Sequence, residues 1–121
     1  MLSFLRPPAN ARVQPIDPRE AVRRAGAGEI TVIDVRDGAE LAMGRAEGAL
    51  HVPLMALKMK CDPSSPECLA ALDVEKPVAL YCASGARSRM AGQMLADMGY
   101  AEVYNIGGLG DWHAGGGRVV R

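Results

Sequence analysis

Two stretches of the chain, "EITVIDVR" (29–36) and "PVALYC" (77–82), are apolar almost from end to end. A strand with one face in water alternates apolar and polar residues, whereas a continuous β-branched run fits a strand buried on both faces. Each run leads within a few residues into a segment with helical spacing. Strand, helix and strand in that order make βαβ units, whose parallel strands are joined by right-handed crossovers. The expected fold is therefore α/β, with a mostly parallel central sheet of about five strands and helices on both faces.

The other segments fill in this frame. "IDPREAVRRAGAG" (16–28) offers Asp17 as N-cap, Pro18 at the first helical position, Glu20 at the capping-box position and Gly26 or Gly28 as the stop. "DGAELAMG" (37–44) reads as a short helix capped by Asp37 and Glu40, and "GALHVPL" (48–54) as a strand closed by Pro53. "LMALKMK" (54–60) supplies a helical turn or two. "SSPECLAALD" (64–73) is expected to be a helix with Ser65 as cap, Pro66 at the first position, and Leu69 and Leu72 facing inward. "ARSRMAGQMLADMG" (86–99) is the clearest helix, with Met90, Ala91, Met94, Leu95 and Met98 on one face and Gly99 at its end. "EVYNI" (102–106) is the last strand, and "GGLGDWHAGGG" (107–117) a glycine-rich turn holding one helical turn. Residues 1–12 are expected to be a loosely ordered extension and the glycine-rich tail a second loose end, leaving 13–121 as the domain.

At 121 residues the chain suits one domain with a real core. Fourteen basic and fourteen acidic residues cancel, which argues against broad binding to nucleic acid or to anionic membranes. The apolar run in "MLSFLRPPANAR" is too short for a signal peptide and is broken by Pro7 and Pro8. No stretch approaches the length of a membrane span. A cytoplasmic, reducing setting is the expectation, and three cysteines leave at least one unpaired within the chain.

Ligands of open α/β sheets bind beyond the carboxyl ends of the strands, and Cys82 lies at such an end. "CASGAR" (82–87) then runs straight into the longest helix. Gly85 admits a left-handed backbone, and Ala83, Ser84 and Ala86 are small enough for a tight curl. A curl of this kind turns successive N–H groups inward as an anion-binding nest, and the helix start points its dipole at the same place. A sulfur held there is favoured as thiolate, below the free value of about 8.5, and thiolate is the nucleophilic form. Arg87 and Arg89 add positive charge nearby. The plainer account, a cysteine serving as a small core hydrophobe, fits the strand end but not the loop that follows.

"YCASGARSRMAGQML" resembles the active-site loop of the rhodanese family of sulfurtransferases. "IDVRDGAELAMGRAEGALHVPL" (33–54) resembles the family's upstream pattern of Asp-x-Arg, Glu, Gly-x-x-x-Gly-Ala and Pro, and "NIGGLGDWHAGGGRVV" (105–120) its closing Gly-Gly…Trp…Ala-Gly pattern. The three fall in order over nearly the whole chain. The resemblance implies a ping-pong reaction through a persulfide on Cys82, with the N–H groups of Ala83, Ser84, Gly85, Ala86, Arg87 and Ser88 holding the anionic sulfur. It implies a small anionic sulfur donor such as thiosulfate, a thiol or cyanide acceptor that extends to a partner protein, and no cofactor. Two rivals stand beside it. One is a persulfide carrier or regulatory module of low turnover. The other is a cysteine phosphatase or arsenate reductase, but the phosphatases carry five residues between cysteine and arginine where this loop has four, a ring better sized for one sulfur than for a phosphoryl group.

By the same resemblance Asp34 and Arg36 brace the loop. Read from the residues alone, Asp34 caps the next turn and Arg36 pairs with Glu40 at i, i+4. Arg45 stands where the family pattern usually carries His. His51 and His113 have no Asp or Cys at ligand spacing and the chain lacks paired Cys-x-x-Cys motifs, so no metal is expected. Cys61 and Cys68 bracket "DPSSPE" and read as inert thiols in a reducing setting.

Overall fold

The computed structural model of the protein describes residues 12–121. The expected loose extension at 1–12 lies, but for its last residue, outside that span. Five parallel strands make the main sheet: β1 (Gln14–Pro15), β2 (Thr31–Asp34), β4 (Leu50–His51), β5 (Val78–Cys82) and β6 (Val103–Gly108), in the order β1-β6-β5-β2-β4. Two short strands, β3 (Arg45–Ala46) and β7 (Val119–Val120), pair antiparallel beside it. The helices are α1 (Pro18–Gly26), α2 (Leu57–Cys61), α3 (Ala86–Asp97) and α4 (Leu109–Ala114), with 3-10 turns at Gly38–Met43 and Leu54–Ala56.

β5 is central and all five of its residues are buried. Side chains alternate across a strand, so its two faces feed two cores. Val78, Leu80 and Cys82 join Ile33, Leu57, Cys61, Ala91 and Leu95 in the core beneath α2 and α3. Ala79 and Tyr81 join Ala21, Val32, Ile106 and Trp112 in the core beneath α1 and α4. Cys82 therefore emerges on the α3 face of the sheet.

The helix ends follow local chemistry. Asp17 caps α1 by accepting the Arg19 N–H at 3.0 Å, while Glu20 turns to Arg23 at 2.7 Å instead of closing a capping box. α3 stops in a Schellman turn: Gly99 is left-handed, its N–H reaches the Ala96 carbonyl, and the Tyr100 N–H reaches that of Leu95.

Three expectations need correction. The segment 64–73 is a series of turns with no helix. Its polar side chains bond locally instead: Asp62 Oδ1 accepts from Ser64 N and Oγ, Ser65 Oγ accepts the Glu67 N–H, and the Ser65 hydroxyl donates to the Met59 carbonyl at 2.7 Å. Such bonds compete with a helical ladder, and here they win. Leu69 and Leu72 still pack against the core from this irregular path. Secondly, Met90 points to solvent, and the inner face of α3 is made by Ser88, Ala91, Gly92, Leu95 and Ala96. Thirdly, the glycine-rich tail is tied down. Trp112 is buried, its Nε1–H donates to the Arg118 carbonyl at 3.0 Å, and Val119–Val120 pair with Arg45–Ala46.

Trp112→Phe keeps a ring in that core and removes the donor. It is expected to cost about 1 kcal/mol, one buried hydrogen bond. A lowered Tm together with faster proteolysis after Gly116 checks this, whereas an unchanged tail would show that β3–β7 pairing suffices.

Candidate active site

The site is built where β5 becomes α3. Cys82 ends the strand and three residues later Gly85 stands at the N-cap of α3 with φ 105°, a left-handed conformation that favours glycine. The curl brings three donors onto the Cys82 sulfur: Gly85 N–H at 3.0 Å, Ser88 N–H at 3.4 Å and the Ser88 hydroxyl at 3.4 Å. The residue itself is fully buried. Burial pushes the thiol pKa up, but hydrogen bonds from the Ser88 hydroxyl, Ser88 N–H, Gly85 N–H and Ser84 N–H outweigh it and leave Cys82 below the ordinary thiol value.

The end of β6 shapes the floor of the loop. Its pairing with β5 shifts register between Leu80 and Tyr81, a bulge that sets Asn105 opposite Leu80 and Gly107 opposite Tyr81. Gly108 has a clear reason to be glycine: a Cβ there would lie 2.2 Å from the Ala83 carbonyl oxygen. The Gly-Gly pair in "NIGG" thus lets the cysteine loop lie directly on the neighbouring strand. Asp111 then seals the start of α4 by accepting the Gly108 N–H at 2.7 Å.

Asp34 and Arg36 lie beside this floor, both buried. Arg36 Nη2 donates to Asp34 Oδ2 at 2.8 Å and its Nε to Oδ1 at 3.0 Å; Nη2 also reaches the Gly44 carbonyl at 2.7 Å. Tyr81 donates its hydroxyl proton to Asp34 Oδ2 at 2.7 Å and accepts the Ala46 N–H at 2.9 Å. For Asp34 burial works upward, yet the Arg36 and Tyr81 hydrogen bonds leave its carboxyl below the usual range. This network joins β2, β5, β3 and the Gly44 turn into one frame. It does not touch the sulfur.

Arg36 does not pair with the Glu40 carboxylate as the i, i+4 reading has it; only the Glu40 backbone carbonyl accepts from it, at 3.4 Å. Glu40 is taken by Arg87. Arg87 Nη1 and Nη2 donate to its two carboxylate oxygens at 2.7 and 3.0 Å, and the Asp37 N–H donates to Glu40 Oε1 at 2.9 Å. These bonds, the Arg87 contacts foremost, hold the Glu40 pKa down at about 2. The positive charge expected of Arg87 is thus balanced by a carboxylate, and the pair clamps the loop to the 3-10 turn.

Sequence reasoning passed over Asn105, Tyr81 and the Glu40–Arg87 pairing. The signal for the first two is a hydrogen-bonding side chain inside an otherwise apolar strand, "VYNI" and "ALYC". Elsewhere, His51 Nε2 lies 2.7 Å from the Arg36 carbonyl, while Arg45 and His113 are exposed. All three cysteines are free, and burial pushes the Cys61 thiol up to about 12, an unreactive value. Among the described residues no group of three His, Cys, Asp or Glu side chains could hold a metal ion, and no helix is long and apolar enough to cross a membrane.

A thiol at a strand end, ringed by amides at a helix start, defines a cysteine-loop α/β domain. The Rhodanese-like domain family matches residues 17–115. YqhL of Bacillus subtilis, an uncharacterized protein, is 36% identical over 97 residues, covering 79% of this chain and 68% of its own. The thiosulfate sulfurtransferase GlpE of Stutzerimonas stutzeri is 31% identical over 94 residues, 78% of this chain and 76% of its own. A solved protein of unknown function from Rhodopseudomonas palustris, described as a possible tyrosine phosphatase, superposes with TM-score 0.81 at 30% identity, covering 93% of this chain and 88% of that one. The chain belongs to the rhodanese family, and sulfurtransferases are among its relatives.

Gly108→Ala is expected to push the Ala83 carbonyl off β6 and spread the amides around the sulfur, costing about 1–3 kcal/mol. Thermal melts read the stability loss. Peptide-resolved alkylation of Cys82 reads the loosened cradle as a thiol pKa raised toward the free value.

Proposed function

We propose that the protein is a sulfurtransferase that accepts sulfane sulfur from thiosulfate or a similar donor as a persulfide on Cys82 and passes it to cyanide or a thiol. The observation that carries this reading is the convergence of Gly85 N–H, Ser88 N–H and the Ser88 hydroxyl on one sulfur. The Cys82 thiolate attacks the outer sulfur of thiosulfate, a new S–S bond forms, and sulfite leaves with the electron pair of the old one. In the second half an acceptor attacks that outer sulfur and the Cys82 thiolate departs. A lowered thiol pKa populates the thiolate for the first half and improves the leaving group in the second, at some cost in the nucleophilicity of each thiolate formed. Amides left free as the sulfur is extended stabilise the persulfide anion as an oxyanion hole would.

The phosphatase reading fares worse on two counts. The loop has four residues between Cys82 and Arg87. Moreover, the Arg87 guanidinium turns two of its five donors to the Glu40 carboxylate, which balances its charge and weakens its attraction for phosphoryl oxygens. One observation favours the carrier alternative: Cys82 is fully buried, so donor and acceptor reach the sulfur only by displacing what covers it. Slow exchange suits sulfur carriage better than rapid turnover.

Mass spectrometry after incubation with thiosulfate is expected to show one added sulfur atom on the Cys82 peptide, removed by cyanide and absent in Cys82→Ser. An adduct confined to Cys61 or Cys68, or none at all, would sink the proposal. The rate of thiocyanate release in the same samples separates an enzyme from a carrier.

Glu40 is expected to work against an anionic donor by neutralising Arg87. Glu40→Gln keeps acceptor and shape, and should raise persulfide loading from dianionic thiosulfate by about three- to tenfold at low salt. That gain should vanish near 1 M salt, where the screening length falls to about 3 Å. A slower loading in Glu40→Gln would instead make the clamp itself the requirement.

A further inference from the structure

Ser88 has one hydroxyl proton and four acceptors around it. Its Oγ lies 2.7 Å from Asn105 Oδ1, 3.2 Å from the Gly85 carbonyl, and 3.4 Å from both the Cys82 sulfur and the Gly107 carbonyl. The orientation of the Asn105 amide is fixed by the backbone. The Gly107 N–H donates to its oxygen at 3.0 Å, and its nitrogen donates to the Gly85 carbonyl at 3.1 Å. Reversing the amide would set donor against donor and acceptor against acceptor. An oxygen therefore faces Ser88 at the shortest of the four distances, and the serine must donate to it.

That arrangement suits an uncharged sulfur. With the serine proton on Asn105, a lone pair of Ser88 Oγ is turned toward Cys82, and the thiol S–H can donate to it. Loss of the thiol proton reverses the preference. A charged sulfur is the stronger acceptor, so the hydroxyl turns about its Cβ–Oγ bond and donates to sulfur, and Asn105 Oδ1 keeps only the Gly107 N–H. No backbone atom has to move.

We propose that Asn105 is a positioning residue that holds the Ser88 hydroxyl proton away from the Cys82 sulfur while that sulfur is uncharged, and so opposes formation of the thiolate. Asn105 has no hydrogen bond to the sulfur and acts on it through the Ser88 hydroxyl. The device keeps the sulfur basic, which matters because the nucleophilicity of a thiolate falls as its pKa falls. In the persulfide the charge sits one sulfur further out, so the hydroxyl returns to Asn105. It then assists the thiolate again when that thiolate becomes the leaving group. The inference rests on Cys82 being the reacting thiol of the proposed function, but its test uses no sulfur donor and so succeeds or fails apart from that function.

The charged groups near the sulfur have partners of their own, except Arg89 on the first turn of α3, which is exposed. Arg87 from α3 is held by Glu40 of the 3-10 turn, Arg36 by Asp34 at the end of β2, and Asp111 of α4 by the Gly108 N–H. None of these groups hydrogen-bonds the sulfur; Arg87 acts on it through space and is left in place in every variant, so differences between variants report on the loop donors.

The test is a double-mutant cycle read by the pH dependence of iodoacetamide alkylation, followed on the Cys82 peptide by mass spectrometry. Ser88→Ala is expected to raise the thiol pKa, having lost a donor. Asn105→Ala is expected to lower it by about half a unit, near threefold more thiolate below the pKa, because one competing hydrogen bond is gone. In the Ser88→Ala background the Asn105 substitution is expected to shift nothing. Should Asn105→Ala fail to fold, Asn105→Leu, similar in shape and without the acceptor, gives the same reading. A pKa unchanged or raised by removal of the Asn105 amide overturns the proposal. So does a shift of equal size with and without the Ser88 hydroxyl, or a Ser88→Ala profile that matches the parent.

Discussion

A buried strand that turns into a helix within three residues must dispose of its backbone N–H groups, and here they have one place to go. The first turn of a helix leaves N–H groups without intrahelical partners, and a buried donor without an acceptor costs free energy. The Cys82 sulfur is the acceptor this loop supplies to Gly85 and Ser88. The dependence is mutual. Burial alone would hold the thiol neutral and inert, as it does for Cys61, whereas the inward-facing donors shift the balance at Cys82 toward the charged form. Two buried thiols in one small core thus differ in chemistry because of where neighbouring amides point.

The rest of the fold can be understood as support for that turn. β5 is central and buried along its length, so its end is fixed by both cores. The loop then lies on the end of β6, where Gly108 has no side chain to lift it, and is clamped sideways by the bidentate Arg87–Glu40 pair. Behind it, Asp34, Arg36 and Tyr81 tie the neighbouring strands together. Asp34 ionises more readily folded than unfolded, so its contribution to stability is present above the unfolded carboxyl pKa and is lost as the pH falls through the folded one. Glu40 obeys the same sign, with its loss deferred to about pH 2.

Much of this frame was legible in the residues. The unbroken apolar runs announced strands covered on both faces, and the order of runs and helical spacings gave a parallel sheet. The small residues after Cys82 with Gly85 announced a curl ahead of a helix. The failures share one cause: a side chain had more than one partner within reach, and the residues alone do not rank them. Ser64, Ser65 and Asp62 could cap a helix or bond locally, and only the path from α2 decided it. Arg36 and Arg87 both could reach Glu40, and the buried Asp34 claimed the first and left the second. Asn105 carried no periodic signal at all, because a bulge in β6 sets where its side chain falls.

The balance of charge is the feature that separates this site from a simple anion trap. The two arginines that brace the loop and its frame are each matched by a carboxylate, Arg36 by Asp34 and Arg87 by Glu40, while Arg89 is exposed. Attraction for a negative group is therefore left to main-chain dipoles, which act at short range and in fixed directions, rather than to free cations, which act over a Debye length of about 8–10 Å. A cradle of that kind favours charge that develops on an atom already seated in it over charge that arrives from solution. The distinction suits the proposed persulfide, an anion formed on the protein one atom beyond Cys82, better than a phosphoryl group held through the whole reaction by its own charged oxygens.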